Sequence, residues 1–290
     1  MFKFPFLRYN ILQVGETMDQ RRVTEYRQQA KDADFSSRVL NVAARTGYLL
    51  LASGAEISRV EETIDRICSH YGVESEQAYV LSNGIFLTAG NGREKTYASV
   101  RYIPMQGSRF DRLIAVNQFS REVVRGKYTI GEAEKILSRI ETSPGKSDFS
   151  QILASGIGSA AFSMLFGGSF RDALCAFAAG LILYVFVLKS RTAKKSKMVT
   201  NILGGMLVTM ICYLLRSFGP GENLHYMVIG SVMPLIPGVT FISGLRDMAG
   251  GDYLSGSVRI LDAILVFLSI SIGVGVVTVI AFSLLGGKML

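Results

Sequence analysis

Proline, glycine and a short series of charges make up the chemistry this sequence places inside apolar surroundings. Pro237-Gly238 lies within an apolar run, Arg246 and Asp247 follow it, Asp252 comes next, and Asp262 stands just inside a further apolar run. A proline removes a backbone donor and obstructs the turn before it. In a bilayer the carbonyls so freed must face protein, water or a solute, and interrupted helices often hold transported substrates and ions. Carboxylates at that depth are costly and are usually functional. Asp247 could carry a proton or pair with Arg246, whose planar fork could receive a carboxylate. The plain alternative is a proline kink, with Asp247 anchoring a helix end at the membrane surface. On this reading the candidates for a substrate or ion pathway are Pro237, Gly238, Arg246, Asp247, Asp252 and Asp262.

A second group, Arg59, Glu61, Glu62, Asp65 and His70, lies on one predicted helix in the first half. Glu62 and Arg66 are spaced as an exposed helical ion pair, which favours a solvated face over a catalytic one. No Ser/His/Asp order, zinc-ligand spacing or phosphate-binding loop is visible, so neither an enzyme nor a metal or other cofactor is expected. Cys68, Cys175 and Cys212 show no pairing pattern and fit as small apolar fillers.

The elements that must hold these residues fall into two halves. Up to Asp148 the chain carries 21 Lys+Arg and 18 Asp+Glu; from Phe149 it carries only 10 and 5, so the second half is apolar with basic clusters. Residues 1–34 read as a polar tail with no signal-peptide core. Residues 35–146 read as a small α+β domain. A helix over Phe35–Ser53 stops at Gly54. A second bears a capping-box spacing at Ser58 and Glu61 and an apolar stripe of Ile57, Val60, Ile64, Ile67 and Tyr71. Three strands, Gln77–Ser82, Ile85–Ala89 and Lys95–Tyr102, are separated by Asn83-Gly84 and Asn91-Gly92. Two helices close the domain, Arg109–Arg125 carrying Phe110, Leu113, Ile114 and Val124, and Thr129–Glu141 with a second capping box at Thr129 and Glu132.

Residues 147–290 read as an α-helical transmembrane block of about five spans: Gln151–Phe166, Ala173–Leu188, Val199–Leu215, Leu224–Leu245 and Ile260–Leu285. Gly204-Gly205, and Gly273 with Gly275, suggest packing faces. The loop from Lys189 to Lys197 is basic and lacks acids, which puts it and the soluble domain in the cytoplasm and the carboxyl terminus outside.

Certain short motifs then point to a family. Ser53-Gly54-Ala55 followed by Arg59-Val60-Glu61 resembles the opening of the threonine/serine exporter amino-terminal domain, which adds Gly54, Arg59 and Glu61 as motif residues. Pro237-Gly238 with Arg246-Asp247 and Gly251-Asp252 resembles that family's membrane motif, and Phe166-Gly167-Gly168 before Asp172 also fits. The resemblance implies a secondary transporter of the cytoplasmic membrane that exports small polar metabolites such as threonine and serine. Full-length members have about ten spans in two similar blocks. This chain has one block and is similar to the larger, YjjP-like subunit of split exporters, which implies a small membrane partner, or failing that a homo-oligomer, and succinate as an alternative substrate. A reading from another class is a membrane-anchored hydrolase. Nothing suggests nucleic acid as a partner.

Overall fold

The structure, a computed structural model, describes Tyr26 and residues 33–73, 75–89, 97–103, 109–192, 196–219 and 221–284. Most of the polar tail and the Asn91-Gly92 turn lie outside the described residues. The chain divides into two compact units, one of residues up to Gly145 with Ile242–Arg259, the other of Lys146–Phe241 with Ile260–Leu290.

In the first unit, helix α1 (Ala33–Ala52) ends at Gly54, whose φ of 94° is a left-handed conformation. The Ala55 amide donates to Leu50 O at 3.0 Å and the Gly54 amide to Leu51 O at 3.1 Å, so two end carbonyls are satisfied in a Schellman turn. Helix α2 (Ile57–His70) buries Ile57, Val60, Ile64 and Ile67 along the stripe expected of it. A Cβ added at Gly47 would sit 2.7 Å from Ile64 Cδ1, so α1 and α2 approach closely there. The expected capping box at Ser58 does not form. The helix starts earlier, with Glu56 as N-cap, so Ser58 is already helical. Glu61 instead accepts a hydrogen bond from the Val80 amide at 3.2 Å.

Strands β1 (Ser75–Leu81), β2 (Gly84–Ala89) and β3 (Tyr97–Tyr102) form an antiparallel sheet in that order. Leu81 pairs with Gly84, so the first turn is centred on Ser82-Asn83, one residue before the expected dipeptide. The strands alternate: Val80, Ile85 and Leu87 enter the core, while Tyr79 and Phe86 remain exposed. Helices α3 (Phe110–Val124) and α4 (Ile130–Thr142) complete the unit. Phe110 and Ile114 are exposed, contrary to the apolar set expected for α3; the face that packs carries Val116, Phe119 and Val123. The capping box of α4 is present, with the Thr129 amide donating to Glu132 at 2.9 Å. Arg38 forms a two-pronged pair with Glu134, and Glu62 meets Arg66 at 2.7 Å. Burial pushes the Cys68 thiol up to about 12, in keeping with a filler.

The second unit holds α5 (Asp148–Leu165), α6 (Phe170–Thr192), α7 (Lys197–Ser217), α8 (Leu224–Val232), a 3-10 turn (Met233–Leu235), the start of α9 (Gly238–Ala249) and most of α10 (Tyr253–Leu284). Among the described residues, α6, α7 and α10 are long and apolar enough to cross a membrane, and α8 with α9 makes a fourth if the bent pair is one span. Helix α5 is not among them; its first turn carries the polar Asp148, Ser150 and Gln151. Helix α10 begins at Tyr253, well before the expected Ile260, which puts Arg259 inside the helix and not in a preceding loop. Helices α7 and α10 meet through glycine: a Cβ at Gly205 would lie 2.8 Å from Ile270 O, and one at Gly273 2.2 Å from Ile202 O. Gly275 faces open space and takes no part.

Candidate functional site

The broken helix begins the site. Helix α8 ends in the 3-10 turn containing Pro234, the chain then runs through Ile236-Pro237, and α9 restarts at Gly238. The helical axis bends by 62° across this break. The Pro237 carbonyl accepts from the Phe241 amide at 3.0 Å, so Pro237 stands immediately before the restarted helix, where its missing donor costs nothing. Gly238 has nothing within 4 Å of a would-be Cβ, so space alone does not demand glycine.

At its far end α9 closes in the same manner as α1. Gly251 has φ 97°, the Asp252 amide donates to Asp247 O at 2.8 Å, and the Gly251 amide to Met248 O at 3.1 Å. This Schellman turn sends the chain into α10, and Gly256 lets the two helices touch: its Cβ would stand 2.7 Å from Gly244 O.

Within the first unit, the paired ends of α9 and α10 meet the turn between α1 and α2. Arg246 Nη1 lies 2.6 Å from Glu56 Oε1. Asp247 Oδ1 accepts from the Ile57 amide at 3.2 Å, and Asp247 Oδ2 lies 3.2 Å from Arg259 Nη1. The latter approach is ionic, without the alignment of a hydrogen bond. Arg259 Nη2 donates to Ala55 O at 3.0 Å. The Ser82 amide, at the tip of the β1–β2 hairpin, donates to Ser255 Oγ at 3.1 Å. Three consecutive residues of the turn, 55 to 57, are thus each held by a charged group from α9 or α10. Asp247 is 3% exposed and Arg259 5%, so each charge depends on the other. Asp247 also supplies what the first turn of α2 lacks: an acceptor for an orphan amide, at the end of the helix where negative charge is favoured.

The structure therefore joins Arg246 and Asp247 to the Gly54 turn but does not pair them with each other. Glu61 and Asp252 are half-buried, and burial, with Asp252 and Asp65 nearby, holds the Glu61 carboxyl above its ordinary range. Arg59 is exposed. Asp262 does not join the group; it pairs with Lys197 at 2.6 Å. Pro237 and Gly238 stand at the opposite end of α9, about 13 Å along the helix from Asp247. Glu56, Ser255 and Arg259 were not singled out from the sequence. Arg259 had a legible signal, since a lone arginine beside a long apolar run is either an end marker or a buried partner. Among the described residues no three His, Cys, Asp or Glu side chains are arranged to hold a metal ion.

A second buried carboxylate lies in the second unit. Asp172 is fully buried; its Oδ1 accepts from the Glu222 and Asn223 amides at 2.8 and 2.9 Å, and its Oδ2 from the Ser169 amide at 3.0 Å. It closes the start of α6 and the approach to α8 at once.

A bundle of apolar helices with a broken member defines the class, a multi-pass helical membrane protein. The chain belongs to the threonine/serine exporter family: the model described as "ThrE: Putative threonine/serine exporter" matches residues 41–281. It is 27% identical over 247 residues to the "Threonine/serine exporter" of Corynebacterium glutamicum, covering 82% of this chain and 50% of that one. It is 24% identical over 240 residues to the "Probable succinate transporter subunit YjjP" of Klebsiella aerogenes, covering 81% and 91%. It is 21% identical over 259 residues to "Pheromone-regulated membrane protein 10" of Debaryomyces hansenii, covering 86% and 26%. The chain thus spans half the length of the Corynebacterium protein and about a quarter of the Debaryomyces one. No solved structure matches it.

Proposed function

We propose that this chain is a subunit of a secondary transporter that exports small polar, carboxylate-bearing metabolites of the threonine/serine type across the cytoplasmic membrane. The observation that carries the reading is the helix broken at Pro237-Gly238, whose continuation ends in the buried Asp247–Arg259 pair, in a chain that belongs to an exporter family. A proton or substrate carboxylate arriving along the broken helix would compete for the same charges that hold the α1–α2 turn, and so would couple transport to the soluble domain. In this reading Asp247 is the carboxylate that changes state, Arg259 is its counter-charge, Arg246, which holds Glu56, is the second cation a substrate carboxylate would meet, and Pro237 and Gly238 open the path. Asp252 lies next to the same group, and Asp262 guards the start of α7 through Lys197. Gly54, Arg59 and Glu61 belong to the receiving face of the soluble domain.

The reading includes a soluble α+β domain over 35–146 on the cytoplasmic side and a block of about five spans over 147–290, with α5 as the first and the carboxyl terminus outside. One such block is half of a two-block exporter, so the transporting unit would be completed by a smaller homologous membrane subunit or by another copy. Succinate or another dicarboxylate is the second reading, favoured by the 91% coverage of the Klebsiella subunit. The test is counterflow in liposomes with labelled threonine, serine and succinate, with and without a partner subunit. We expect Asp247→Asn to lower coupled export by about 10-fold or more per folded molecule, and, because it leaves Arg259 buried without its counter-charge, to lower stability as well, so that export is compared with Asp247→Asn/Arg259→Met protein in which no buried charge is orphaned. Undiminished export by well-folded Asp247→Asn protein would remove the residue from the mechanism.

A further inference from the structure

Within the second unit, α5 carries three serines one helical turn apart, Ser155, Ser159 and Ser163, on the face it packs against α6 and α8. Glycine makes this seam close. A Cβ added at Gly180 of α6 would lie 2.3 Å from Ser159 Oγ, one at Gly230 of α8 2.6 Å from Ser159 O, and one at Gly168 2.8 Å from Ser163 Oγ. Close packing by itself would be served as well by alanine at 159 and 163.

The hydroxyls need another explanation. Ser155 Oγ donates across the seam to Gly180 O at 3.0 Å. Thr209, Ser231 and Ser269, also buried in this unit, each donate to the carbonyl four residues back, at 2.7 or 2.8 Å. Ser159 and Ser163 are fully buried, and their Oγ atoms have no hydrogen-bond partner among the described residues. A buried hydroxyl left without a partner costs free energy, so its reason lies outside the packed state.

The break in the chain stands at the same seam. Helix α8 ends two residues after Gly230, and the 3-10 turn that follows, with Pro234, also packs on α5. A shift of α8 at this break would leave α5 resting on α6 alone, and small residues let packed helices slide past each other. The geometry points to the seam of α5 with α6 and α8 as an opening polar path, in which the freed Ser159 and Ser163 hydroxyls hydrogen-bond a small polar solute. A hydroxyl both donates and accepts, so it can meet the hydroxyl, ammonium or carboxylate group of that solute. The inference rests on the transporter reading and adds to it two residues that contact the solute.

Because Ser159→Ala and Ser163→Ala lose no hydrogen bond in the closed seam, each full-length variant should melt in nanodiscs at the parental temperature or above it. In counterflow with labelled threonine, repeated with labelled succinate, each should raise the half-saturating concentration by about 3-fold to 10-fold. Access is measured separately and needs no transport. Ser159→Cys and Ser163→Cys, in protein whose Cys68, Cys175 and Cys212 are replaced by alanine, should react with a small charged methanethiosulfonate. Val208→Cys, equally buried but on α7, should not. Unchanged half-saturation in both alanine variants, whatever their melting temperatures, would overturn the inference and leave the transporter reading standing. Absence of labelling at both serine positions would overturn it whether or not the protein transports. Labelled cysteines in protein that moves neither solute would uphold the opening seam while the transporter reading fails. Two serines a turn apart guard against one variant failing to fold.

Discussion

Asp172 and Asp247 are both buried carboxylates that tie their own helix to a distant stretch of chain, yet they are held by different means. Asp172 is satisfied by neutral dipoles: backbone amides of Ser169, Glu222 and Asn223 converge on it, with the Ser169 hydroxyl and the Asn223 side-chain amide at its second oxygen. Asp247 has one amide, from a residue 190 positions away, and a buried arginine. Dipoles spread along two chain segments make a rigid clamp that no single change of charge elsewhere can release. An ion pair is strong only while both members stay charged and together, so the Asp247 site can be opened by a proton, a competing carboxylate or a competing cation. Fixed architecture and a releasable joint can thus be built from the same side chain, and the identity of the partners decides which results.

The largest expected effect breaks the ionic member of this comparison. Arg259→Met leaves Asp247 buried without its counter-charge and should cost about 3–5 kcal/mol of stability, read as a lowered melting temperature in nanodiscs. Adding Asp247→Leu should recover much of that loss, because the orphaned charge is gone. Arg246→Gln, which opens the more exposed Glu56 pair, should cost less than about 1 kcal/mol. If Arg259→Met is as mild as Arg246→Gln, the buried pair is not what holds the α1–α2 turn.

A smaller loss is expected at the dipolar member. Asp172→Asn keeps one acceptor oxygen but turns an amide group toward either the Ser169 donors or the Glu222 and Asn223 amides. The cost should be about 1–3 kcal/mol, and no second substitution removing a charge should rescue it. Rescue by such a change would show that Asp172 too depends on a counter-charge, and the contrast would fail.

Much of the frame was legible in the sequence. The 3.6-residue stripe of α2, the stop at Gly54 and the Thr129–Glu132 cap are written in local spacing, and local spacing is what folds them. So is the break at Pro237, since proline acts on its own turn. The joint was not legible in full. Ser58-x-x-Glu61 has the spacing of a capping box, but the cap of α2 comes from Asp247 in a distant part of the chain, and Glu61 is occupied with Val80. The sequence placed Arg246 beside Asp247 and suggested a pair, whereas successive residues on a helix point apart, and each found its partner elsewhere. The start of α10 was misplaced for a related reason. Its first turns carry Asp252 as a lead-in and the polar Ser255, Ser257 and Arg259, so a hydropathy reading begins the span only at Ile260, while the helix begins at Tyr253.

The smallest effect concerns the acid beside the joint, Glu61, and it has a definite sign. Burial first, and then the neighbouring Asp252 and Asp65, raise its carboxyl above the ordinary value of 4.5. Between 4.5 and the raised value the folded chain therefore holds a proton that the unfolded chain has already released. Stability then falls as pH rises through that window, and the deficit is fully present above it. Glu61→Gln removes the titration but retains an oxygen for the Val80 amide. The variant should match or exceed the parent at neutral pH, by no more than about 1 kcal/mol, and its melting temperature should vary less with pH above 4.5. At pH 4 the two proteins should converge, because the parent is then largely protonated at this position in both states. Melting curves at several pH values decide the matter. A loss of stability that is absent at pH 4 and grows as pH rises would mean that the carboxylate itself, and not only an acceptor oxygen, is required beside Asp252, which would make Glu61 a working member of the joint instead of a bystander under electrostatic strain.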